Sequence, residues 1–281
     1  MPAEDLHPPV GLCAQGPPFI PPLCSYIPAP LPHKGRSAHQ FYASKSPLSL
    51  AKALPTEDLH PSLPPCRYLE TLGLRGRQPH ALELHRDRVR RTLLHAGASP
   101  ERHSLLEELV PERLVARLKE ELGASYCAEQ LYRLSYSYDR EGVQELRCLA
   151  YAPRQLERLV LWELPEGFDY SYKYADRSFF DAMQAELQQG ELPLFVRSEG
   201  SLSDTTYTNI VLWTAAGYRT PERPLLEGTE RRRLLEAGRI SAAPLSVADL
   251  SACRGVYLIN AMMPLESAPL LPPPELVIRR V

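Results

Sequence analysis

Histidine is missing from the whole second half of the chain: all eight histidines lie at or before His103. No imidazole general base is therefore on offer there. The six cysteines, Cys13, Cys24, Cys66, Cys127, Cys148 and Cys253, form no C-x-x-C pair and no cluster at zinc spacing. That excludes a zinc module and leaves ordinary reduced thiols. No apolar run approaches the roughly 18 residues that a membrane span needs. The opening Met1-Pro2-Ala3-Glu4-Asp5 has neither the basic flank nor the apolar stretch of a secretory signal. With a formal net charge of −2 there is no basic excess for binding nucleic acid by counterion release. Neither G-x-x-x-x-G-K-[ST] nor G-x-G-x-x-G occurs, and Ser49-x-x-Lys52 reads as a chance match in a Pro-rich stretch. These absences predict a cytoplasmic protein with no metal, no nucleic-acid partner and no membrane partner.

What is present divides unevenly. Fifteen of the 29 prolines fall before residue 66, and stretches such as Pro17-Pro18-Phe19-Ile20-Pro21-Pro22 sustain neither a helix nor a central strand. Residues 1–65 are read as an irregular extension, with a two-copy echo (Glu4 to Pro8, Glu57 to Pro61) too short for a repeat architecture. From Cys66 the pattern becomes globular, and 44% hydrophobic residues supply a core. Periodicity predicts a strand over 67–74, helices over 80–96 and 111–122, and a hairpin of 131–138 with 143–151 around Asp139-Arg140-Glu141-Gly142. In the helix over 80–96, Leu82, Leu84, Val89, Leu93 and Leu94 are expected to face the core. Further strands are expected at 156–164, 193–197, 208–213, 255–261 and 275–279, with helices at 177–188, 229–237 and 247–253. The reading is α+β in two lobes after the extension 1–65: a small α/β lobe over 66–167 and a larger lobe over 168–281.

Lysine is the informative residue. The chain holds 27 arginines but five lysines, of which only Lys119 and Lys173 lie in the globular part. Arginine stays protonated, whereas a lysine with a depressed pKa becomes a neutral amine nucleophile. Lys119 sits among Arg113, Arg117, Glu120 and Glu121 and is expected to be solvated. Lys173 lies in Phe168-Asp169-Tyr170-Ser171-Tyr172-Lys173-Tyr174. As a strand, this segment would place the aromatics on one face and Lys173 on the other. Composition alone leaves both a surface lysine and a reactive one open. Gly228-Thr229 opens an amphipathic segment, so its free N–H groups are either a plain helix start or a phosphate cradle. Asp204 is either a turn residue or a carboxylate for a protonated ring nitrogen. A reactive lysine, a phosphate cradle and a ring-nitrogen partner together are what pyridoxal phosphate requires.

From about Arg67 onward the sequence resembles the class IV (fold-type IV) pyridoxal-phosphate enzymes, especially the aminodeoxychorismate lyases. The landmarks occur in the family's order. Leu69-Glu70-Thr71 looks like its early strand, and His85-Arg86-Asp87-Arg88 matches H-x-x-R. Lys173-Tyr174-Ala175-Asp176-Arg177 is similar to K-x-x-N-R, and Asp204 through Asn209-Ile210 matches E-x-x-x-x-N-[IL] with Asp in place of Glu. Thr220-Pro221 and Leu225 to Arg231 match the phosphate turn, and Asn260-Ala261-Met262-Met263-Pro264 is close to N-A-L-M-P. The family's strand and acidic Gly-rich turn ahead of Glu70-Thr71 have no counterpart in the Pro-rich residues.

The resemblance implies a two-lobed fold-type IV architecture, with a small α/β lobe and a mixed-sheet, barrel-like lobe. It implies pyridoxal 5'-phosphate as cofactor and Lys173 as Schiff-base lysine and general acid/base. Arg88, Gly228, Thr229 and Asn260 would hold the phosphate, Asp204 would face the ring nitrogen, and Asn209 would complete the cofactor site. The implied reaction is conversion of 4-amino-4-deoxychorismate to p-aminobenzoate and pyruvate, in the folate pathway. A class IV aminotransferase acting on branched-chain or D-amino acids is the alternative, and an inactive scaffold is the third reading. The substrate is a small amine whose carboxylates would meet Arg75, Arg77, Arg140 or Arg177, and by analogy the protein is a homodimer.

Overall fold

The structure, a computed structural model, describes residues 66–275 and 277–279. The Pro-rich extension, its echo and Ser49-x-x-Lys52 lie outside the described residues. Alternation builds the first sheet. Tyr68–Arg75 (β1) pairs antiparallel with Leu131–Tyr138 (β3), Leu69 opposite Ser137 and Thr71 opposite Ser135. Gln78–Pro79 (β2) and Val143–Ala150 (β4) flank this pair. The period of two buries Tyr132, Leu134, Tyr136 and Tyr138 with Leu72 and Leu74. Leu82–His95 (α1) and Pro111–Leu122 (α3), joined through Ser104–Glu108 (α2), supply Val89, Leu93, Leu114 and Leu118 to the same core. Pro111 occupies the first turn of α3, where no intrahelical N–H is needed, and Gly123 ends it at φ 51°. Asp139 Oδ1 accepts the N–H groups of Glu141 and Gly142 and closes the expected hairpin. Leu94, expected in the core, is exposed, because Val89 and Leu93 already define the buried stripe of α1 and the next residue turns away.

The second lobe is a mixed-sheet structure. Arg158–Glu163 (β5), read from sequence as part of the small lobe over 66–167, instead pairs in parallel with Glu191–Val196 (β6) in this lobe, the two being connected across Ser178–Ala185 (α4). Leu202–Thr205 (β7) and Ile278–Arg279 (β13) complete their sheet. A five-stranded sheet contains, in spatial order, Ser241–Ala243 (β10), Gly217–Pro221 (β9), Asn209–Thr214 (β8), Gly255–Ile259 (β11) and Leu270–Leu271 (β12). Leu161, Leu194 and Val196 share one core with Ile210, Leu212, Val256 and Leu258, so the two sheets close on each other. On the five-stranded sheet, Thr229–Glu236 (α5) packs Leu234 with Val211 and Ile259. Val247–Ala252 (α6) starts with a capping box between Ser246 and Asp249. The short strands β7, β9, β10 and β12 carry little periodic signal, and of the strand expected at 275–279 the described residues show β13.

The segment around Lys173, whose faces depended on its being a strand, is built differently. Residues 168–174 form no strand. Asp169 Oδ1 accepts from the N–H and hydroxyl of Ser171, an Asx turn that diverts the chain. The aromatics scatter accordingly: the Tyr170 hydroxyl donates to the Tyr174 carbonyl at 2.8 Å, while Tyr172 stacks on His95 at 3.7 Å between ring centres.

Candidate active site

A cavity of about 1140 Å³ lies between the open face of the first sheet and the ends of the second lobe. Leu69, Thr71, Arg133, Ser135 and Ser137 belong to the sheet face opposite the tyrosine core and line it. From the second lobe come Lys173, Asp204, Asn209, Gly228, Thr229 and Asn260, and from α1 comes Arg88. All seven residues singled out as cofactor or catalytic candidates therefore line one cavity.

Lys173 is held by its backbone. Its carbonyl accepts from the Leu69 N–H at 2.9 Å, and its own N–H donates to Tyr170 at 3.3 Å. The residue takes φ 50°, a left-handed conformation that is uncommon for a side chain of this size. Removal from water, and then the positive charge of Arg88, depress its ammonium from the ordinary lysine range to about 7. The amine is thus available in its neutral form near neutral pH.

Arg88 and its neighbours form a buried chain of charge. Glu70 accepts from Arg88 Nε at 3.0 Å and from Arg88 Nη2, and it contacts His85 Nδ1 at 2.6 Å. Burial alone would raise the Glu70 carboxyl, but Arg88 and His85 hold it well below the carboxylate range. His85 Nε2 lies 3.3 Å from Thr229 Oγ1. Glu70 and His85 were legible only as letters of motifs, and neither was singled out as a site residue.

At the start of α5, Gly228 is the N-cap, and no side chain caps the first turn. The first-turn N–H groups and the helix dipole there favour an anion. A Cβ on Gly228 would lie 1.9 Å from Asn209 Oδ1, so glycine is demanded by space at this point. Asn209 Nδ2 donates to the Leu226 carbonyl at 2.9 Å and braces the turn leading into α5. Asp204, on β7, accepts the Leu226 N–H through Oδ2 at 3.0 Å, while its Oδ1 is buried with no hydrogen-bond partner among the described residues. Burial pushes its carboxyl up to about 6, against the pull of the Leu226 N–H and the Asn209 amide. Asn260 is differently engaged: Oδ1 accepts from Met262 and Met263 N–H at 2.9 and 3.1 Å, and Nδ2 donates to Tyr207. Its amide shapes the turn that forms one wall.

These residues fit the expected pyridoxal 5'-phosphate. An orphaned carboxylate oxygen awaits a donor such as a protonated ring nitrogen, an uncapped helix start awaits an anion, and a lysine amine of lowered pKa stands in the same cavity.

The arginines sort differently from expectation. Arg75, Arg77 and Arg140 do not line the cavity, because Arg75 and Arg77 flank the β1–β2 turn and Arg140 sits at the hairpin tip beside Glu141. Arg177 does line it, but its guanidinium donates to the Tyr170 hydroxyl and the Thr206 carbonyl. Arg133 and Arg154 also line the cavity, and neither forms an ion pair among the described residues; Arg154 lies over the Tyr207 ring at 5.7 Å. The period of two in 131–138 already put Arg133 opposite the tyrosines. Arg154 lies in the connection between lobes, where no periodicity exists to read. Lys119, as expected, is exposed, and it lies over the Tyr126 ring. No helix among the described residues is long and apolar enough to cross a membrane, and no cluster among them could hold a metal ion.

Comparison with known proteins agrees with this architecture. The structure is similar to that of a candidate 4-amino-4-deoxychorismate lyase from Haemophilus somnus, with a TM-score of 0.56 and 25% identity over 70% of this chain and 96% of that one. A fold IV-transaminase from Curtobacterium pusillum has a TM-score of 0.54 at 16% identity, covering 73% of this chain and 78% of its own. A Haemophilus influenzae protein of uncharacterised function is 28% identical over 133 residues, 47% of this chain and 69% of the relative. The family model described as amino-transferase class IV matches residues 68–267. The chain belongs to the amino-transferase class IV family.

Proposed function

We propose that this protein is a pyridoxal-phosphate-dependent 4-amino-4-deoxychorismate lyase, releasing p-aminobenzoate and pyruvate. The observation that carries the reading is the meeting, in one cavity, of the Lys173 amine, the uncapped start of α5, the orphaned Asp204 oxygen and the guanidinium groups of Arg133 and Arg154, which form no ion pair among the described residues. Arg88 and the first turn of α5 would hold the phosphate, Asp204 would face the ring nitrogen, and Lys173 would be the point of covalent attachment. When bound, the cofactor supplies an electron sink for charge developing on the substrate carbons.

The chain's own groups do the rest. Lys173 has a pKa of about 7 in this site, so near neutral pH its free amine would take a proton from the substrate and return one. Arg133 and Arg154 are positioned to receive carboxylates, which suits an amine bearing two of them, as 4-amino-4-deoxychorismate does. The resemblance of the motifs 173–177 and 260–264 to those of the lyases supports the same choice. The same two cations also suit glutamate and 2-oxoglutarate, and this favours an aminotransferase as the second reading. Homodimerisation belongs to the proposal by analogy, and sedimentation of the loaded protein tests it.

The deciding experiment supplies the loaded protein with 4-amino-4-deoxychorismate, and separately with amino acids plus 2-oxoglutarate. The lyase reading expects p-aminobenzoate and pyruvate in equal amounts, abolished by Lys173→Ala. Rapid glutamate formation without p-aminobenzoate would replace it with the aminotransferase. Failure to take up the cofactor at all would overturn both.

A further inference from the structure

Behind the anion end of the cavity stands a group that the proposed chemistry does not use. His85 is fully buried. Its Nδ1 meets Glu70 Oε1 at 2.6 Å, and its Nε2 meets Thr229 Oγ1 at 3.3 Å. Glu70 is ionised, so it accepts, and Nδ1 must carry hydrogen. In the neutral ring Nε2 is then an acceptor, and the Thr229 hydroxyl donates inward to it. The hydroxyl accordingly turns its lone pairs toward the cavity, the wrong polarity for an anion at the start of α5.

We propose that His85 is a proton-accepting positioning residue behind the cofactor-phosphate site: when a doubly charged anion binds at Thr229, His85 takes up a proton. With Nε2 protonated, the ring donates to Thr229 Oγ1, and the freed hydroxyl hydrogen points at the anion. The proton comes from solvent and stays on the imidazole; no covalent bond changes. The inference rests on the reading of α5 as the phosphate cradle.

The groups around the ring make the exchange two-sided. Arg88, on the same helix, and Lys173, from the turn after β5, oppose the imidazolium, as does burial, and these keep the ring neutral in the empty site. Glu70 from β1 favours the imidazolium, and Tyr138 of β3 flanks the Glu70–Arg88 pair. A dianion arriving beside Thr229 adds favourable charge on the far side and tips the balance.

Sulfate is the probe, because it does not titrate between about pH 6 and 8, where histidine does. It is bound to cofactor-free full-length protein carrying Lys173→Ala, so that the lysine contributes no proton. Calorimetry in buffers of different ionisation enthalpy gives the protons taken up per sulfate. The expected result is an uptake approaching one proton, with sulfate affinity gaining up to about tenfold for each pH unit lowered. Adding His85→Gln should remove the uptake and flatten the pH profile while sulfate still binds weakly. Equal uptake in the His85→Gln protein overturns the proposal, and so does sulfate binding without any uptake.

Should His85→Gln unfold the chain, the imidazole ¹⁵N shifts of the Lys173→Ala protein decide instead. They must pass from one protonated nitrogen to two when sulfate is added, and an unchanged ring refutes the relay. Cofactor loading of the unmodified chain separates the two levels. Stable loading without sulfate-linked uptake sinks the relay alone, whereas a chain that neither loads nor binds sulfate sinks the reading of the site.

Discussion

Lys173 combines two costs, a left-handed backbone and an amine held in a poorly solvated, positively charged setting. Such costs persist in a fold when neighbouring structure over-determines them, here the bond from Leu69 N–H and the Asx turn at Asp169. The folded pKa of about 7 lies below the value of 10.5 for the unfolded chain. Between those limits the unfolded state binds more protons, so stability rises with pH across the window. The penalty is complete below about pH 7 and is relieved as pH climbs toward the unfolded value. Lys173→Met, which keeps the length and loses the charge, should therefore stabilise the cofactor-free protein at pH 6, by roughly 1 kcal/mol or more. The gap between variant and wild type should shrink steadily toward pH 10 in matched denaturant titrations. A pH-independent gap would mean that Lys173 is as well solvated in the folded chain as in the unfolded one.

At the scale of elements, the turn into α5 shows what can and cannot be read from letters. The helix itself, Gly228 as its N-cap and the alternation of β3 were legible, because each is a local pattern with a fixed period or a fixed cap chemistry. Lys173 stood out by scarcity, yet its turn setting could not be read. Asp169 competes for the backbone by a side-chain bond, and period-two aromatics do not reveal that bond. Glu70 and His85 were equally invisible as partners, since they are 15 residues apart in sequence and their meeting depends on how α1 lies on β1. Arg154 sits in an aperiodic connection. Gly228 carries a direct test of this element. The 1.9 Å approach of a new Cβ to Asn209 Oδ1 forces either the Asn209–Leu226 bond or the helix start to move. Gly228→Ala should cost about 1–3 kcal/mol in stability and weaken pyridoxal phosphate more than unphosphorylated pyridoxal. Thermal melts and spectral titrations with the two aldehydes measure both effects. Equal losses for the two would place the damage away from the phosphate end.

The cavity exists because two lobes with their own cores are held at a fixed spacing. Arg91 of α1 pairs with Glu227, in the turn before α5, at 2.8 Å, Arg232 of α5 reaches Asp87 of α1 at 3.5 Å, and His80, ahead of α1, meets Glu230 at 2.7 Å. Exposed pairs such as the first contribute at most about 1 kcal/mol, so the spacing must be enforced mainly by packing. A close backbone approach lies at Gly73 of β1, where a Cβ would stand 2.7 Å from the Ala261 carbonyl oxygen. That carbonyl belongs to a turn stiffened by Asn260 Oδ1, so it cannot simply give way. Gly73→Ala should push the 260–263 turn away from the first sheet and widen the cavity where Asn260, Ala261 and Met262 line it. Leu72→Ala, one residue away, is the proper comparison, because Leu72 is fully buried in the first lobe's own core. It should cost about 2–5 kcal/mol by leaving a cavity, while the seam keeps its spacing. If the seam sets the site, Gly73→Ala releases bound pyridoxal phosphate faster than Leu72→Ala does, even where its melting temperature is the higher of the two. Release that follows melting temperature in both variants would mean that overall stability, and not the spacing of the lobes, retains the cofactor.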